Sequence, residues 1–120
     1  MIKILSIDDS KAVYAYIKNC FDDDNYNLKH VLSAKEALEL LKINPSAFDI
    51  ILLDWEMPQM NGPEALVAIK KLGVSTPIVM VTTRNKEADI KLILESGATE
   101  YIMKPFTADI IQQKIQQVLG

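Results

Sequence analysis

The stretch IILL at residues 50–53 consists of four consecutive aliphatic residues and is followed directly by Asp54. The stretch PIVMV at residues 77–81 is also apolar throughout. A strand with one face in water alternates apolar and polar residues, whereas a parallel strand covered by helices on both faces is apolar at nearly every position. The two stretches therefore predict a parallel sheet between two layers of helices.

Five short aliphatic or β-branched runs are strand candidates, and each is followed by a longer amphipathic stretch typical of a helix. The candidates are Lys3–Ile7, Asn27–Val31, Ile50–Leu53, Ile78–Val81 and Tyr101–Met103. This alternation predicts an α/β fold, a doubly wound five-stranded parallel sheet with helices on both faces. We expect the flavodoxin-like strand order 2-1-3-4-5 for this sheet.

Several helix starts carry recognisable chemistry. Ser10 and Thr107 have the short side-chain oxygens of N-caps, and Ser33 followed by Glu36 has the spacing of a capping box. Pro63 suits the first position of the third helix, since it lacks an N–H that would need a partner. The last helix is predicted to bury Ile110, Ile111, Ile115, Val118 and Leu119 and to expose Gln112, Gln113, Gln116 and Gln117.

Length and charge exclude several classes of protein. The 120 residues suit one domain, which we expect to span residues 1–120 and to be complete at Gly120. The net charge of −3, without a basic cluster, argues against direct nucleic-acid binding. The N-terminal apolar stretch is too short for a signal peptide or a membrane span. We therefore expect a cytoplasmic monomer that does not insert into membranes.

Three features receive an ordinary structural interpretation. Cys20 is the only cysteine, so an intramolecular disulfide is excluded. We expect Cys20 to pack as a small apolar side chain at a helix end. His30 lies on the second predicted strand, where we expect a structural role away from any site. The run Asp22–Asp24 lacks the glycine and distal glutamate of an EF-hand loop and is interpreted as a solvated turn.

Reactive polar residues follow four of the five predicted strands, and the second strand is followed only by Ser33. Asp8 and Asp9 end the first, Asp54 the third, Thr82 the fourth and Lys104 the fifth. In an open parallel sheet, ligands bind beyond the carboxyl ends of the strands. The coincidence of these residues at one edge indicates a functional site, although each acid alone could be a helix cap or a loop residue.

Three carboxylates at this edge would repel one another, so their negative charge must be neutralised. With the order 2-1-3-4-5, the first and third strands are neighbours and bring Asp8, Asp9 and Asp54 together. At about 4 Å and an effective dielectric near 20, each like-charged pair costs roughly 4 kcal/mol. Either one carboxyl is protonated or a cation binds, and hard oxygen ligands favour Mg²⁺.

A carboxylate beside a metal ion, a hydroxyl and an ammonium group is suited to phosphoryl transfer. Asp54 could attack phosphorus in line, and Lys104 could neutralise charge on the phosphoryl oxygens. The hydroxyl of Thr82 could donate a hydrogen bond to one of those oxygens. The predicted product is an acyl phosphate.

Four separated motifs match a known family. They are IDD at 7–9, LLDWEMPQMNG at 52–62, PIVMVTT at 77–83 and YIMKPFT at 101–107. Over its whole length the chain resembles the receiver domain of two-component response regulators, and most closely the single-domain chemotaxis members of that family. The resemblance implies a signalling protein that assists its own phosphorylation and dephosphorylation, and not an enzyme.

The resemblance also assigns roles to the acidic residues. It makes Asp54 the phosphoacceptor and Asp8 and Asp9 the acidic pocket that holds Mg²⁺. The main-chain carbonyl of Glu56 becomes a further metal ligand. The phosphoryl group would come from a sensor histidine kinase.

The same resemblance implies a switch. Thr82 is similar to the family's switch hydroxyl, Lys104 to its phosphate-binding lysine and Tyr101 to its aromatic switch. In this family the threonine moves towards the phosphoryl group, the ring follows, and the face of the fourth helix, fifth strand and fifth helix changes. The implied partners are a downstream protein, such as a flagellar motor switch or a phosphotransfer protein, and a phosphatase.

Three positions depart from the chemotaxis members. Glu56 replaces an amide, Arg84 stands two residues after the switch threonine, and Tyr14 replaces an arginine on the first helix. We predict an ion pair between Glu56 and Arg84 across the mouth of the site, partly exposed to solvent. Since both flank the path of attacking water, the phosphoryl lifetime of the relatives does not transfer to this chain.

Other functions remain open at this stage. Besides chemotaxis and motor control, a phosphorelay intermediate or the receiver of a longer regulator fits the same motifs. A docking module that is never phosphorylated is disfavoured by the complete set of polar residues. An aspartate-nucleophile phosphatase is disfavoured because 120 residues leave no room for a substrate-selecting cap.

Overall fold

The computed structural model describes all 120 residues, in which five strands alternate with five helices. The strands are β1 (Ile2–Ile7), β2 (Tyr26–Val31), β3 (Ile50–Asp54), β4 (Ile78–Thr82) and β5 (Glu100–Met103). The helices are α1 (Lys11–Cys20), α2 (Ala34–Ile43), α3 (Gly62–Lys71), α4 (Glu87–Glu95) and α5 (Ala108–Leu119). Each predicted strand is present, and each differs from its prediction by one residue at one end.

The sheet has the predicted topology. Its order is β2-β1-β3-β4-β5, and all four pairings are parallel. Ile7 lies opposite Leu53 and Asp54 lies opposite Val81, so the carboxyl ends of β1, β3 and β4 are nearly level. The doubly wound flavodoxin-like fold expected from the sequence is confirmed.

Two hydrophobic cores lie on opposite faces of the sheet, because successive side chains of a strand point to opposite sides. On β3, Leu53 belongs to the core beneath α2, α3 and α4, and Leu52 belongs to the core beneath α1 and α5. All residues of β3 and β4 are buried. This explains why their sequences are apolar without alternation.

The predicted N-caps are present, with one difference. The hydroxyls of Ser10, Ser33 and Thr107 each accept a hydrogen bond at 3.2 Å from the main-chain N–H three residues later. The capping box at Ser33 is incomplete, because the carboxylate of Glu36 lies 3.5 Å from the N–H of Leu32 instead of bonding to Ser33.

A complete capping box begins α3. Asn61 accepts from the N–H of Glu64 at 3.0 Å, and the Glu64 carboxylate accepts from the N–H of Asn61 at 3.1 Å. Gly62 is the first helical residue, so Pro63 stands at the second position and not the first as predicted. Proline is tolerated there because the N–H groups of the first turn have no partner within the helix.

Helix α5 is rotated slightly from its predicted orientation. Ile111 and Ile115 are buried and Val118 is half-buried, but Ile110 is 50% and Leu119 37% exposed, contrary to the prediction. Positions 111, 115 and 118 form one stripe at the helical period, and 110 and 119 lie beside that stripe. At 12 residues α5 is the longest helix, and none of the helices has the length and apolar content needed to cross a membrane.

Polar side chains join α1, β2 and α5. The amide of Gln112 is half-buried and donates to the carbonyl of Cys20 at 2.6 Å, so the prediction that Gln112 faces water is wrong. Gln116 donates to the Tyr26 hydroxyl at 3.3 Å, and the Tyr16 hydroxyl donates to the carbonyl of Phe106. The bonds of Gln112 and Tyr16 satisfy main-chain carbonyls at the end of α1 and in the loop before α5.

Cys20 ends α1 as a buried residue, as predicted. It is 4% exposed and packs in the core beneath α1 and α5. Burial raises the pKa of its thiol. The run Asp22–Asp24 that follows is fully exposed and forms the predicted turn.

Candidate functional site

Polar side chains meet at the carboxyl edge of the sheet, as the topology requires. Asp8 follows β1, Asp54 ends β3, Thr82 ends β4 and Lys104 follows β5. The N–H of Lys104 donates to the carbonyl of Thr82 at 2.9 Å, which extends the β4–β5 pairing by one step. The lysine side chain reaches along the edge to Asp54 at the end of β3 and to Asp8 after β1.

Three carboxylates converge, as predicted. One oxygen each of Asp8, Asp9 and Asp54 lies within 4.8 Å of the others. Asp8 and Asp54 are 3% and 6% exposed, and Asp9 is exposed. Buried carboxylates need partners because water no longer solvates them.

Lys104 is the partner of both buried carboxylates. Its Nζ lies 2.8 Å from Oδ1 of Asp54 and 3.2 Å from Oδ2 of Asp8, so it bridges the two. One ammonium group against three carboxylates leaves two formal negative charges. The cluster can therefore accommodate a divalent cation.

The pKa values at the site reflect burial and charge together. Burial is the largest influence on Asp54 and raises its pKa, with a further contribution from the charge of Asp8, although the bond to Lys104 opposes both. For Lys104, burial acts to lower the pKa, but the contacts with Asp54 and Asp8 together outweigh burial and raise it. Lys104 is thus charged at neutral pH.

The donor set suits magnesium. Mg²⁺ prefers hard oxygen ligands and retains several waters, so it is usually held by one or two carboxylates. Asp8, Asp9 and Asp54 supply such oxygens from two adjacent strand ends. Glu56 lies in the exposed loop directly after Trp55, two residues beyond the end of β3.

Thr82 is held inside the site. Its side chain is 1% exposed, and its Oγ accepts a hydrogen bond at 3.0 Å from the main-chain N–H of Arg84. An accepting hydroxyl still has its own proton to donate. The side chain therefore remains able to donate to an anion in front of Asp54.

The predicted ion pair at the mouth of the site is present. Arg84 Nε lies 2.7 Å from Glu56 Oε1, and both side chains are partly exposed. Arg84 also lies 3.5 Å from Asp89 and 4.6 Å above the ring of Trp55, a cation–π arrangement. The bond to Glu56 raises the pKa of Arg84. The pair joins the loops after β3 and β4.

Comparison with known proteins gives the family. The family model described as "Response regulator receiver domain" matches residues 4–116. The chain belongs to this family. Receiver domains are signalling proteins of two-component systems that depend on phosphorylation and bind Mg²⁺ at an acidic pocket, so the resemblance seen in the four motifs is confirmed.

Curated relatives include chemotaxis proteins and a transcriptional regulator. The CheY homolog of Campylobacter jejuni is 36% identical over an alignment 125 positions long, which covers 99% of this chain and 93% of the relative. CheY1 of Helicobacter pylori is 35% identical over 99% of this chain and 98% of the relative. The transcriptional regulatory protein CpxR of Escherichia coli is 34% identical, and the match covers 99% of this chain and 50% of CpxR.

Solved structures agree with the fold. Chemotaxis protein CheY4 of Vibrio cholerae matches with a TM-score of 0.89 and 30% identity, covering 99% of both chains. A CheX–CheY–BeF₃–Mg²⁺ complex from Borrelia burgdorferi matches with a TM-score of 0.92 and 26% identity, covering 99% of this chain and 90% of the other.

Tyr101, the predicted aromatic switch of this receiver domain, lies on β5. It is half-buried, stands opposite Met80 of β4 and packs against the core beneath α2, α3 and α4. Its role as a switch stays a prediction.

Gly62 is a residue of the receiver domain's site whose importance the sequence reasoning missed. A Cβ atom there would lie 2.5 Å from the carbonyl oxygen of Asp54 and 2.7 Å from Cα of Trp55. The Gly62 N–H donates to the Trp55 carbonyl at 2.8 Å. The residue thus lets α3 begin directly against the end of β3. The Asn-Gly-Pro sequence at the start of a predicted helix is a usable signal.

His30 is not away from the site, contrary to the prediction. Its Nε2 lies 3.0 Å from the main-chain carbonyl of Asp8, and its Nδ1 lies 2.9 Å from Oγ of Ser6. Tyr14, the residue that replaces arginine on α1, stacks on the imidazole ring with centroids 4.4 Å apart. The β1–β2 register, which pairs Ser6 with His30, brings the ring to the acid pocket.

Proposed function

We propose that this receiver domain accepts a phosphoryl group on Asp54 from a phosphohistidine of a sensor histidine kinase, in a reaction that depends on Mg²⁺. The observation that carries the proposal is the position of Asp54, buried at a strand end within 4.8 Å of two other carboxylates and bonded to Lys104. A buried carboxylate with this surrounding charge is suited to phosphoryl transfer.

In the proposed step, one carboxylate oxygen of Asp54 bonds to phosphorus while the phosphorus–nitrogen bond of the donor breaks. The electron pair of that bond stays on the imidazole of the kinase, which is a good leaving group once protonated. Asp8, Asp9, Asp54 and the carbonyl of Glu56 would hold Mg²⁺, which when bound neutralises charge on the phosphoryl oxygens.

Two further side chains are placed to receive the product. Lys104 already contacts Asp54, and its ammonium group would move its contact from the carboxylate to a phosphoryl oxygen when the carboxylate charge is lost. Thr82 would donate a hydrogen bond from its hydroxyl to a second phosphoryl oxygen. The hydrogen bond that Thr82 now accepts from Arg84 would then change, which links the site to the loop before α4.

We infer that the output is a change in binding of a protein partner at the face formed by α4, β5 and α5. Large apolar side chains are exposed on the two helices of this face: Leu92 (51%) and Leu94 (41%) on α4, and Ile110 (50%) on α5. Where such side chains are contiguous on a surface, they commonly mark a protein interface. Movement of Thr82 and Tyr101 would alter this face.

Chemotaxis or motor control in the cytoplasm is the favoured setting, with a flagellar motor switch as target and a phosphatase that ends the signal. The relatives named as chemotaxis proteins are covered over more than nine tenths of their length, which supports this. The match to half of CpxR supports the alternatives, a phosphorelay intermediate or the receiver of a longer regulator.

Intact-protein mass spectrometry tests the proposal. Incubation with Mg²⁺ and acetyl phosphate should add one phosphoryl group to the wild type and none to Asp54→Asn. Asp24→Asn makes the same chemical change in the exposed turn after α1 and should behave as the wild type. No addition from acetyl phosphate or from a histidine kinase would favour a docking module, and steady-state hydrolysis of phosphate esters would favour a phosphatase.

A further inference from the structure

All polar groups of Asp8 are held by other parts of the chain. Its N–H donates to the carbonyl of Val31 at 3.2 Å, and its Oδ1 accepts from the N–H of Ser10 at 2.9 Å. Its Oδ2 accepts from Lys104 at 3.2 Å. The remaining group, the main-chain carbonyl, faces Nε2 of His30 at 3.0 Å. That carbonyl belongs to the peptide that leads into Asp9.

The hydrogen-bond partners of His30 determine its tautomer. A carbonyl oxygen can only accept, so Nε2 must carry the proton that it donates to Asp8. In the neutral ring Nδ1 then accepts, and the hydroxyl of Ser6, which is 1% exposed, is the donor. Burial lowers the pKa of His30, although its bond to Asp8 opposes this.

The plane of the His30 ring is fixed as well. The ring of Tyr14 stacks on it at 4.4 Å with an angle of 14° between the planes. Two hydrogen bonds in the plane and one aromatic contact on the face leave the imidazole little freedom. A rigid donor fixes the orientation of the peptide to which it bonds.

We propose that His30 is a positioning residue for the acid pocket, which orients the Asp8–Asp9 peptide so that both carboxylates face one cation. This inference rests on the proposed function, since it concerns the Mg²⁺ site that phosphorylation uses. It assigns no contact between His30 and the metal. The imidazole acts through the main chain of Asp8.

Removal of the His30 hydrogen bonds should weaken Mg²⁺ binding. Groups that hydrogen-bond to metal ligands commonly change metal affinity about 10- to 100-fold when they are removed. His30 acts on a main-chain carbonyl and not on a liganding oxygen, so we expect a smaller effect. The dissociation constant for Mg²⁺ should be about 3- to 10-fold larger in His30→Phe than in the wild type. That variant keeps an aromatic ring for Tyr14 and loses both hydrogen bonds.

Titration of Trp55 fluorescence with Mg²⁺ measures this affinity without requiring phosphorylation. His30→Gln retains an N–H donor near the position of Nε2 and should recover much of the affinity that His30→Phe loses. Tyr14→Leu removes the stacking contact and leaves the hydrogen bonds, so its affinity should stay within about twofold of the wild type. An equal loss in Tyr14→Leu and His30→Phe would overturn the inference, because packing alone would then explain it.

Nuclear magnetic resonance of ¹⁵N-labelled imidazole provides a second measurement that needs no variant. The wild type should show a single neutral tautomer with the proton on Nε2. A tautomer with the proton on Nδ1, or a rapidly exchanging mixture, would overturn the inference even if His30→Phe does not fold.

The two proposals fail in different ways. If Mg²⁺ changes the Trp55 fluorescence of neither the wild type nor Asp9→Asn, both the proposed function and the role of His30 are wrong. If the wild type binds Mg²⁺ and His30→Phe binds it equally well, only the role of His30 is wrong.

Discussion

Asp54 is held in a position that is unfavourable for a carboxylate. It is 6% exposed and close to two like charges, and Lys104 is shared with Asp8. Such an arrangement is typical of functional sites, where stability is lower than the fold alone would permit. The free energy of unfolding should therefore respond when this charge is removed.

We expect Asp54→Asn to be more stable than the wild type at neutral pH without divalent cations, by about 1 kcal/mol. Burial raises the pKa of Asp54, so between its ordinary value of 3.8 and its raised value the folded protein binds more protons than the unfolded chain. The wild type consequently loses stability as pH rises through that window, and the variant lacks this contribution.

Urea unfolding in a chelator, at several pH values from acid to neutral, measures the difference. The difference in free energy of unfolding between Asp54→Asn and the wild type should grow as pH rises and then level off. Asp24→Asn, in the exposed turn, serves as the control and should show no such trend. A wild type that is more stable than Asp54→Asn at neutral pH would show that the bond to Lys104 outweighs burial.

At the scale of secondary structure, the turn from β3 into α3 depends on Gly62. We expect Gly62→Ala to lose about 1–3 kcal/mol of stability, because a Cβ would overlap the main chain of Asp54 and Trp55. Displacement of Asp54 should also weaken Mg²⁺ binding. Urea unfolding and the Trp55 titration measure the two effects.

Gly73→Ala is the comparison for this prediction. Gly73 follows α3, has a φ of +80° and has no atom within 4 Å of an added Cβ. Alanine there should lose about 1 kcal/mol through backbone strain and leave Mg²⁺ affinity unchanged. Equal Mg²⁺ affinities in Gly62→Ala and the wild type would refute the role assigned to Gly62.

The strands and their order could be predicted because local pattern and topology agree. Continuous apolar runs such as IILL identify buried parallel strands without any knowledge of neighbours. Finer features depend on tertiary contacts. Ser33 and Asn61 both precede a glutamate by three residues, yet only Asn61 forms the complete capping box. Gln112 is half-buried because the end of α1 offers it a carbonyl.

The candidate site was predictable to a similar degree. Residues at strand ends, such as Asp8 and Asp54, follow from topology alone. The contact of His30 with Asp8 does not, because it requires the register that pairs Ser6 with His30. A shift of one residue would turn the ring to the other face of the sheet. Register is a property of the assembled sheet and is not visible in either strand.

For the whole molecule, a cation at the carboxyl edge joins parts of the chain that are distant in sequence. Ligand binding to the folded state alone stabilises it by about 2.7 kcal/mol at 100 times the dissociation constant. For a chain of this length that corresponds to roughly 4 °C in melting temperature per kcal/mol. We therefore expect saturating Mg²⁺ to raise the melting temperature by about 10 °C.

Differential scanning calorimetry with and without Mg²⁺ measures this shift. Asp9→Asn should lose most of it, because the exposed carboxylate contributes to the cluster without being needed by the core. Asp24→Asn should keep the full shift. Equal shifts in all three proteins would mean that Mg²⁺ binds elsewhere.

The burial of Cys20 has a practical consequence for spectroscopy. The chain has one thiol, it is 4% exposed, and burial keeps its pKa high, so thiol-directed reagents should leave the folded protein unmodified. A cysteine introduced at an exposed position such as Ile110 on α5 would then be the single point of attachment for a spin label or fluorophore. The wild-type background is thus already suited to following the motion of individual helices with attached probes.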